Sequence, residues 1–341
     1  MSDVPTATTA AAKANDTDTS QPLLSVRELR MHFPGRGSRS APVRAVDGVS
    51  FDVAAGETLG LVGESGCGKS TTGRMIVRLL EPTSGTIAYE GRDISRLNRR
   101  GLRPVRKDLQ MVFQDPHSSL NPRQTVARII SDPLLAHGRS ATAARARAVE
   151  LMDLVGLIPE HIDRYPHEFS GGQAQRIGIA RALALDPKLV VADEPVSALD
   201  VSVQAQIVNL MERLQKELGL AYLFIAHDLS VVKRVCDRVA VMYLGRVVEI
   251  GAKERVYGAP AHPYTQALLS AVPLPDPAAE RARERITLLG DPPSPASPPS
   301  GCSFHPRCAR AAAVCRTEAP VLRVVGPGEG REVACHFPGA G

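Results

Sequence analysis

The sequence predicts an α/β fold built on a parallel sheet whose central strands are buried on both faces. Four short apolar runs indicate these strands, because a central parallel strand is in contact with helices on either side. They cover residues 58–62, 109–113, 189–192 and 222–226. Helical spacing follows two of the runs, which predicts one helix over residues 69–80 and another over 203–218 with Gly219 as its cap.

The remaining patterns place further elements around this sheet. Strands are predicted over residues 23–33, 43–53 and 85–89, and a hairpin over 239–250 that turns at Gly245. Alanine, leucine, valine and arginine at helical spacing predict a small helical insertion over residues 125–157. Residues 98–107 are locally basic and are interpreted as a solvated loop, because no aromatic residues interleave.

Length and composition set limits on the function. The 341 residues suffice for about two domains of roughly 150 residues each. The net charge of +5 is mild, and tryptophan is absent, which argues against a nucleic-acid partner. No apolar run approaches the roughly 20 residues of a membrane helix, and the first 22 residues have no apolar core of a secretory signal. These features predict a cytoplasmic protein with a disordered N-terminal tail over residues 1–22.

A glycine-rich loop lies between the first buried strand and its helix. Residues 63–71, Gly-Glu-Ser-Gly-Cys-Gly-Lys-Ser-Thr, fit the pattern G-x-x-x-x-G-K-[ST] of a phosphate-binding loop. The glycines allow backbone N–H groups to turn toward an anion at the N-terminus of a helix. Lys69 can reach the β- and γ-phosphates, and the Ser70 hydroxyl can ligate Mg²⁺. Taken alone, the loop leaves a chance glycine-rich turn as the alternative.

Polar residues end the other strands of the predicted sheet on the same edge. Asp193 and Glu194 follow one strand, Gln114 follows a second and His227 a third. Asp193 is the candidate Mg²⁺ ligand, and Glu194 would orient or deprotonate an attacking water molecule. His227 could donate a hydrogen bond to a γ-phosphate, because ligands bind outside the carboxyl ends of parallel strands. Gln114 could contact both Mg²⁺ and the water.

A second glycine turn, Phe169-Ser-Gly-Gly-Gln173, precedes a helical segment. One triphosphate does not need two such loops, so we expect the second loop to contact a nucleotide held by another subunit. The alternative is an ordinary turn at the start of a helix.

Together these motifs resemble the ATPase subunit of an ATP-binding cassette (ABC) transporter. Residues 63–71 resemble its Walker A motif, Gln114 its Q-loop, residues 190–194 its Walker B motif and His227 its H-loop. The resemblance implies a P-loop NTPase core with an antiparallel β subdomain, a helical subdomain and a small cysteine-bearing C-terminal tail. Phe33 is the implied residue that stacks on adenine, and His32 is the alternative residue for this role. The other implied ATP contacts are Gly63, Ser65, Gly66, Cys67, Gly68, Lys69, Ser70 and Thr71. The implied contacts to the nucleotide of the second subunit are Ser170, Gly171, Gly172 and Gln173 of the signature loop and Asp200 of the D-loop.

The implied catalytic residues are Glu194, His227 and Gln114, and Ser70, Gln114 and Asp193 are the implied Mg²⁺ ligands. Residues 114–123, 195–206 and 262–265 narrow the resemblance to the oligopeptide/dipeptide importer branch. This implies ATP-driven peptide import at the cytoplasmic face of the membrane. The implied partners are a second ATPase subunit (a paralogue or a second copy), two permease subunits and, indirectly, an extracytoplasmic solute-binding protein.

Other functions stay open at this point. Relatives of the importer branch move nickel or other small solutes. A soluble ABC ATPase would usually have a long coiled coil or two cassettes in one chain, and neither is present. A kinase or GTPase would have no use for the second glycine loop.

The resemblance implies three regions. Residues 1–22 form the tail already described, 23–258 form the ATPase domain with a helical subdomain at about 115–170, and 259–341 form a C-terminal region. Cys302, Cys308, Cys315 and Cys335 of that region follow a proline-rich linker and are spaced C-x5-C-x6-C-x19-C. Cytoplasmic cysteines more often bind metal than form disulfides, but this spacing does not choose between zinc, iron–sulfur and free thiols. The resemblance implies a [4Fe–4S] cluster with a structural role, remote in sequence from the ATP site.

Overall fold

In a computed structural model the described residues are 21–35, 41–273, 276, 281, 285–288, 290–326 and 330–339. The tail predicted to be disordered therefore lies outside them, except for residues 21 and 22. The strands are β1 (Leu24–Phe33), β2 (Val43–Val53), β3 (Thr58–Val62), β4 (Ser84–Tyr89), β5 (Arg92–Asp93), β6 (Leu109–Val112), β7 (Leu189–Asp193), β8 (Ala221–Ala226), β9 (Arg238–Tyr243), β10 (Arg246–Ala252), β11 (Arg323–Val324) and β12 (Glu332–Val333). The α-helices are α1 (Lys69–Ile76), α2 (Arg99–Asp108), α3 (Pro116–Ser119), α4 (Val126–Ala136), α5 (Ala141–Leu154), α6 (Gly171–Leu183), α7 (Val201–Leu218), α8 (Leu229–Val235), α9 (Lys253–Gly258), α10 (Pro263–Ser270) and α11 (Ala313–Thr317).

The central sheet confirms the predicted α/β fold. Within the described residues its strand order is β11-β12-β10-β9-β3-β8-β7-β6, and the strands from β9 to β6 run parallel. Successive residues of β8 alternate between two cores: Tyr222 and Phe224 face one, and Leu223 and Ile225 face the other. The sheet is therefore buried on both faces, and the carboxyl ends of β3, β8, β7 and β6 lie along one edge.

A smaller antiparallel sheet covers one face. Its strand order among the described residues is β2-β1-β4-β5, and its apolar side chains join the core that contains Leu223 and Ile225. The first third of the chain is thus β-rich, as predicted. The segment between β6 and α6 is helical, as predicted: α3, α4 and α5 are followed by two short 3₁₀ turns, Pro159–Asp163 and Pro166–Glu168.

One local prediction is wrong and one differs in extent. The basic segment interpreted as a loop forms helix α2, because Asn98 caps its N-terminus by accepting the Gly101 N–H and Leu102 and Val105 are buried. Helix α1 ends at Ile76 and not near residue 80. The hairpin and its turn at Gly245 are confirmed.

The C-terminal tail packs onto the ATPase core. Phe304 is 1% exposed, and its ring centroid lies 5.2 Å from that of Tyr243 and 5.4 Å from that of Tyr264. Strand β12 pairs antiparallel with the outer edge of β10. The tail therefore shares the apolar core of the central sheet.

A buried carboxylate joins β10 to the start of α10. Glu249 is completely buried and accepts the backbone N–H groups of Ala261 and His262, each at 2.9 Å. We expect Glu249→Gln to lower the free energy of unfolding by about 2 kcal/mol, because an amide NH₂ would face a buried N–H donor. Urea denaturation measures the change. Glu254→Gln, at an exposed position on α9, is the matched control. Equal stability of the two variants would contradict this role for Glu249.

Candidate functional site

The loop between β3 and α1 has a backbone that only glycine permits at two positions. Gly63 has φ 152° and Gly68 has φ 104°. A Cβ atom at Gly63 would lie 2.2 Å from the Met242 carbonyl oxygen, and one at Gly68 would lie 2.1 Å from that of Ala45. Both the φ angles and the close approach of neighbouring backbone exclude a side chain. The loop can therefore turn its N–H groups toward an anion at the start of α1.

A cavity of about 230 Å³ opens on this loop. Its lining residues come from the loop, from β2 and from two other strand ends: Ala45, Ser65, Gly66, Gly68, Lys69, Ser70, Thr71, Gln114 and Glu194. Lys69 is 4% exposed, and its ammonium donates to the carbonyl oxygens of Gly63 at 2.8 Å and Glu64 at 3.0 Å. The loop thus fixes the position of this charge next to the cavity.

A hydrogen bond joins the Ser70 hydroxyl, at the start of α1, to the Asp193 carboxylate, at the end of β7. Ser70 donates to Asp193 Oδ1 at 2.7 Å, whereas Asp193 Oδ2 is buried without a hydrogen-bond partner. Burial raises the pKa of Asp193, and the Ser70 hydrogen bond opposes this change. A buried carboxylate oxygen without a partner beside a hydroxyl is a donor set that suits Mg²⁺, which prefers oxygen ligands. The residues present therefore fit this ion.

Glu194 follows β7 in a conformation unusual for a residue with a side chain. Its φ is 46°, and its N–H donates to the Ile225 carbonyl oxygen of β8 at 2.9 Å. The carboxylate accepts from Gln114 Nε2 at 2.9 Å and lies 3.2 Å from His227 Nδ1. Left-handed backbone at non-glycine residues occurs preferentially at functional sites. The turn brings together the three side chains that were predicted from separate strand ends.

The second glycine turn lies outside this cluster. Ser170 caps α6, accepting from Gln173 N–H at 3.4 Å while Gln173 Oε1 accepts the Ser170 N–H at 3.0 Å. A Cβ atom at Gly172 would lie 2.4 Å from Val203 Cγ1 of α7, so α6 and α7 are closely apposed there. Asp200 begins α7 without a side-chain capping bond. The lining of the phosphate-loop cavity includes neither Asp200 nor any residue of the signature loop.

Phe33 ends β1 with a side chain that is 38% exposed. The neighbouring His32 is 3.4 Å from the Asp47 carboxylate through its Nε2 atom. An exposed aromatic ring can stack on a base, whereas His32 already has a partner within the antiparallel sheet.

Sequence reasoning missed a contact between the C-terminal tail and the phosphate loop. Arg307 Nη1 donates to both carboxylate oxygens of Glu64, at 3.0 and 3.2 Å, and the Tyr264 hydroxyl accepts the Glu64 N–H at 3.0 Å. The tail is remote from the ATP site in the sequence but touches it in the structure. The identities of Glu64 and Arg307 gave no signal of this pairing.

The four tail cysteines surround one small cavity. Cys302, Cys308, Cys315 and Cys335 all line it, together with Phe304 and His305. Burial raises the pKa of Cys335, and so would negative charge on any of the other three sulfurs. Within the described parts of the chain, no group of three or more His, Cys, Asp or Glu side chains is arranged to hold a metal ion.

The fold and the site together define a P-loop nucleoside-triphosphatase. Comparison with known proteins agrees: residues 46–197 match the ABC transporter family, and residues 248–315 match the family "Oligopeptide/dipeptide transporter, C-terminal region". The "Putative oligopeptide transport ATP-binding protein YkfD" of Bacillus subtilis is 56% identical over 318 residues, which cover 93% of this chain and 95% of YkfD. The oligopeptide transport ATP-binding protein AppF of the same organism is 54% identical over 92% of this chain and 97% of AppF.

A solved structure extends the likeness to three dimensions. The ATP-binding cassette MJ0796, a dimer in a post-hydrolysis state bound to ADP and phosphate, superposes with a TM-score of 0.61 and 28% identity over 67% of this chain and 98% of MJ0796.

The chain belongs to the ABC transporter family, as an ATP-binding subunit of its oligopeptide/dipeptide transporter branch. This confirms the resemblance that the motifs indicated, and with it an ABC-type ATPase. None of the helices in the described ranges is both long and apolar enough to cross a lipid bilayer.

Proposed function

We propose that this protein hydrolyses ATP to drive the import of peptides through separate membrane permease subunits. One observation carries the peptide assignment: residues 248–315 match the C-terminal region of oligopeptide/dipeptide transporters, and relatives over 50% identical along almost the whole chain are named for oligopeptide transport. The protein would then lie peripherally on the cytoplasmic face of the membrane. Two permease subunits and, indirectly, an extracytoplasmic solute-binding protein complete the transporter.

The roles of the site residues follow from their contacts. Lys69 and the N–H groups of the loop from Gly63 to Thr71 hold the β- and γ-phosphates, and Phe33 stacks on the adenine ring. Ser70, Asp193 and Gln114 hold Mg²⁺, which when bound neutralises charge on the phosphate oxygens. Glu194 accepts the proton of the attacking water, because Gln114 donates a hydrogen bond that orients its carboxylate and His227 Nδ1 lies 3.2 Å from it. His227 donates to the γ-phosphate and positions Glu194.

Hydrolysis requires two ATPase subunits. The signature residues Ser170, Gly171, Gly172 and Gln173 and the D-loop residue Asp200 do not line the cavity of their own phosphate loop. Each subunit therefore presents them to the nucleotide of its partner, which is a paralogous ATPase or a second copy. Val201, next to Asp200, is 81% exposed, an apolar side chain that such an interface would cover.

Peptide uptake by cells of the source organism tests the proposal. Deleting this chain is expected to abolish uptake of a radiolabelled tripeptide, and the parental gene but not the Glu194→Gln variant should restore it. Uptake of ⁶³Ni²⁺ should be the same in all strains. Loss of nickel uptake with normal peptide uptake would favour the second candidate, a small-solute importer. Normal uptake of both would refute an import function for either.

For the C-terminal region, residues 259–341, we propose a [4Fe–4S] cluster bound by Cys302, Cys308, Cys315 and Cys335. Thiolates are the usual ligands of such clusters, and the four sulfurs share one cavity. The cluster would cross-link a region in which the buried Phe304 is shared with the ATPase core.

Anaerobic purification is expected to give brown protein with broad absorbance near about 400 nm, as thiolate-bound iron does. The Cys308→Ser variant should lose the absorbance, whereas Cys236→Ser, at a buried cysteine outside the cavity, should keep it. Colourless anaerobic protein with one equivalent of zinc would refute the cluster.

A further inference from the structure

Every polar group of Glu64 within the phosphate loop has a partner. Its carbonyl oxygen accepts from Lys69 Nζ at 3.0 Å, and its N–H donates to the hydroxyl of Tyr264 at 3.0 Å. Its carboxylate accepts from Arg307 Nη1 at 3.0 and 3.2 Å. Two of these three partners belong to the C-terminal region, so that region fixes both the backbone and the charge of this loop residue.

Arg307 is largely buried. Its side chain is 8% exposed, compared with 26% for Glu64. It ends the 3₁₀ turn His305–Arg307, which follows the buried Phe304 and immediately precedes Cys308. A guanidinium that is ordered by its surroundings loses little entropy on pairing, and a pair shielded from water is screened less than a surface pair.

The carboxylate of Glu64 is unfavourable for the function of the loop. ATP brings several negative charges to the loop, and a free carboxylate at its second residue would repel them. It would also compete with the phosphates for the ammonium of Lys69, which already touches the Glu64 carbonyl. Pairing with Arg307 removes both effects, because the negative charge is neutralised and held on the side of the tail.

We propose that Arg307 is a positioning residue of the ATP site, which neutralises Glu64 and thereby keeps the phosphate loop receptive to ATP. Arg307 contacts no atom that reacts, so its effect should appear in ATP affinity and not in the chemical step. Arg307 directly precedes Cys308, one of the four cysteines around the small cavity. The fold of the chain at that cavity therefore determines where the charge that neutralises Glu64 is placed. The inference rests on ATP binding at this loop, as proposed above.

The test measures the ATP affinity of the full-length chain and the turnover of the assembled transporter in five variants, one of which is Glu64→Gln alone. Arg307→Met keeps the length of the side chain and removes its charge, and should raise the Kd for ATP about 10-fold with a change in kcat below about 2-fold. Arg307→Lys keeps a charge and should recover most of the affinity. In a Glu64→Gln background, Arg307→Met should change the Kd less than about 2-fold, because no carboxylate remains to be neutralised. Arg316→Met, at an exposed position in the same region, should bind like the parent.

Two results would overturn the proposal. An equal loss of affinity from Arg307→Met in the parental and the Glu64→Gln backgrounds would mean that Arg307 acts through the fold of the tail alone. A Kd unchanged by Arg307→Met would mean that the pair has no effect on the loop. If Arg307→Met does not fold, the same comparison is made with Arg307→Lys, and an equal loss of affinity in the parental and the Glu64→Gln backgrounds would contradict neutralisation of Glu64. ATP binding by the parental chain tests the site itself, and its failure would overturn both proposals.

Discussion

Replacing Glu194 with glutamine is expected to reduce ATP turnover by about 10²–10³-fold, since a general base contributes rate factors of this order. The amide keeps the size of the side chain and its hydrogen bond with Gln114, but it cannot take a proton from water. Binding of ATP should persist, because Lys69 and the loop are unchanged. The dimer closed on ATP should therefore accumulate, since hydrolysis no longer opens it.

Phosphate release by the assembled transporter measures turnover, and size-exclusion chromatography with Mg-ATP measures the dimer. Glu217→Gln, the same substitution at an exposed position on α7, is the matched control. Turnover of the Glu194 variant at the parental rate would refute the proposed role. A slow variant that also fails to bind ATP would assign Glu194 to binding and not to proton transfer.

Lys69→Ala is expected to weaken ATP binding by about 30–100-fold, because hydrogen bonds to a charged group contribute about 2–3 kcal/mol. Lys69 is 4% exposed, and two carbonyl oxygens of the loop accept hydrogen bonds from its ammonium. Removing it leaves the phosphates without the nearest positive charge. Equilibrium binding of a fluorescent ATP analogue measures the effect, with Lys216→Ala on the exposed face of α7 as control. An affinity like that of the parent would exclude Lys69 as the main phosphate ligand.

The central sheet and much of the site could be predicted because their signals are local. Each buried strand is a continuous apolar run, and the polar residue that follows it marks the edge where ligands bind. Asp193, Glu194 and His227 could therefore be expected near the phosphate loop before any contact was known. Their geometry could not: the left-handed turn at Glu194 has no signature in the residue types around it.

The errors have physical reasons. Helix α2 contains Pro104 and five basic residues, so its composition resembles that of a loop. The helix is stabilised by the Asn98 cap and by two buried side chains. The contact between Arg307 and Glu64 spans 243 residues of sequence. A pairing over that distance produces no periodicity and no spacing pattern. The packing of Phe304 against Tyr243 and Tyr264 helps to bring Arg307 close to Glu64.

The pairing of β12 with β10 affects the tendency of the protein to aggregate. Strand β12 and the adjoining Ala334 form hydrogen bonds with the backbone of β10 at Val248, Glu249 and Ile250. A chain cut after β11 would present those groups to water next to apolar side chains, and an open strand edge recruits strands from other molecules. By pairing with β10, β12 and Ala334 thus prevent strands of other copies from adding to this edge of the sheet.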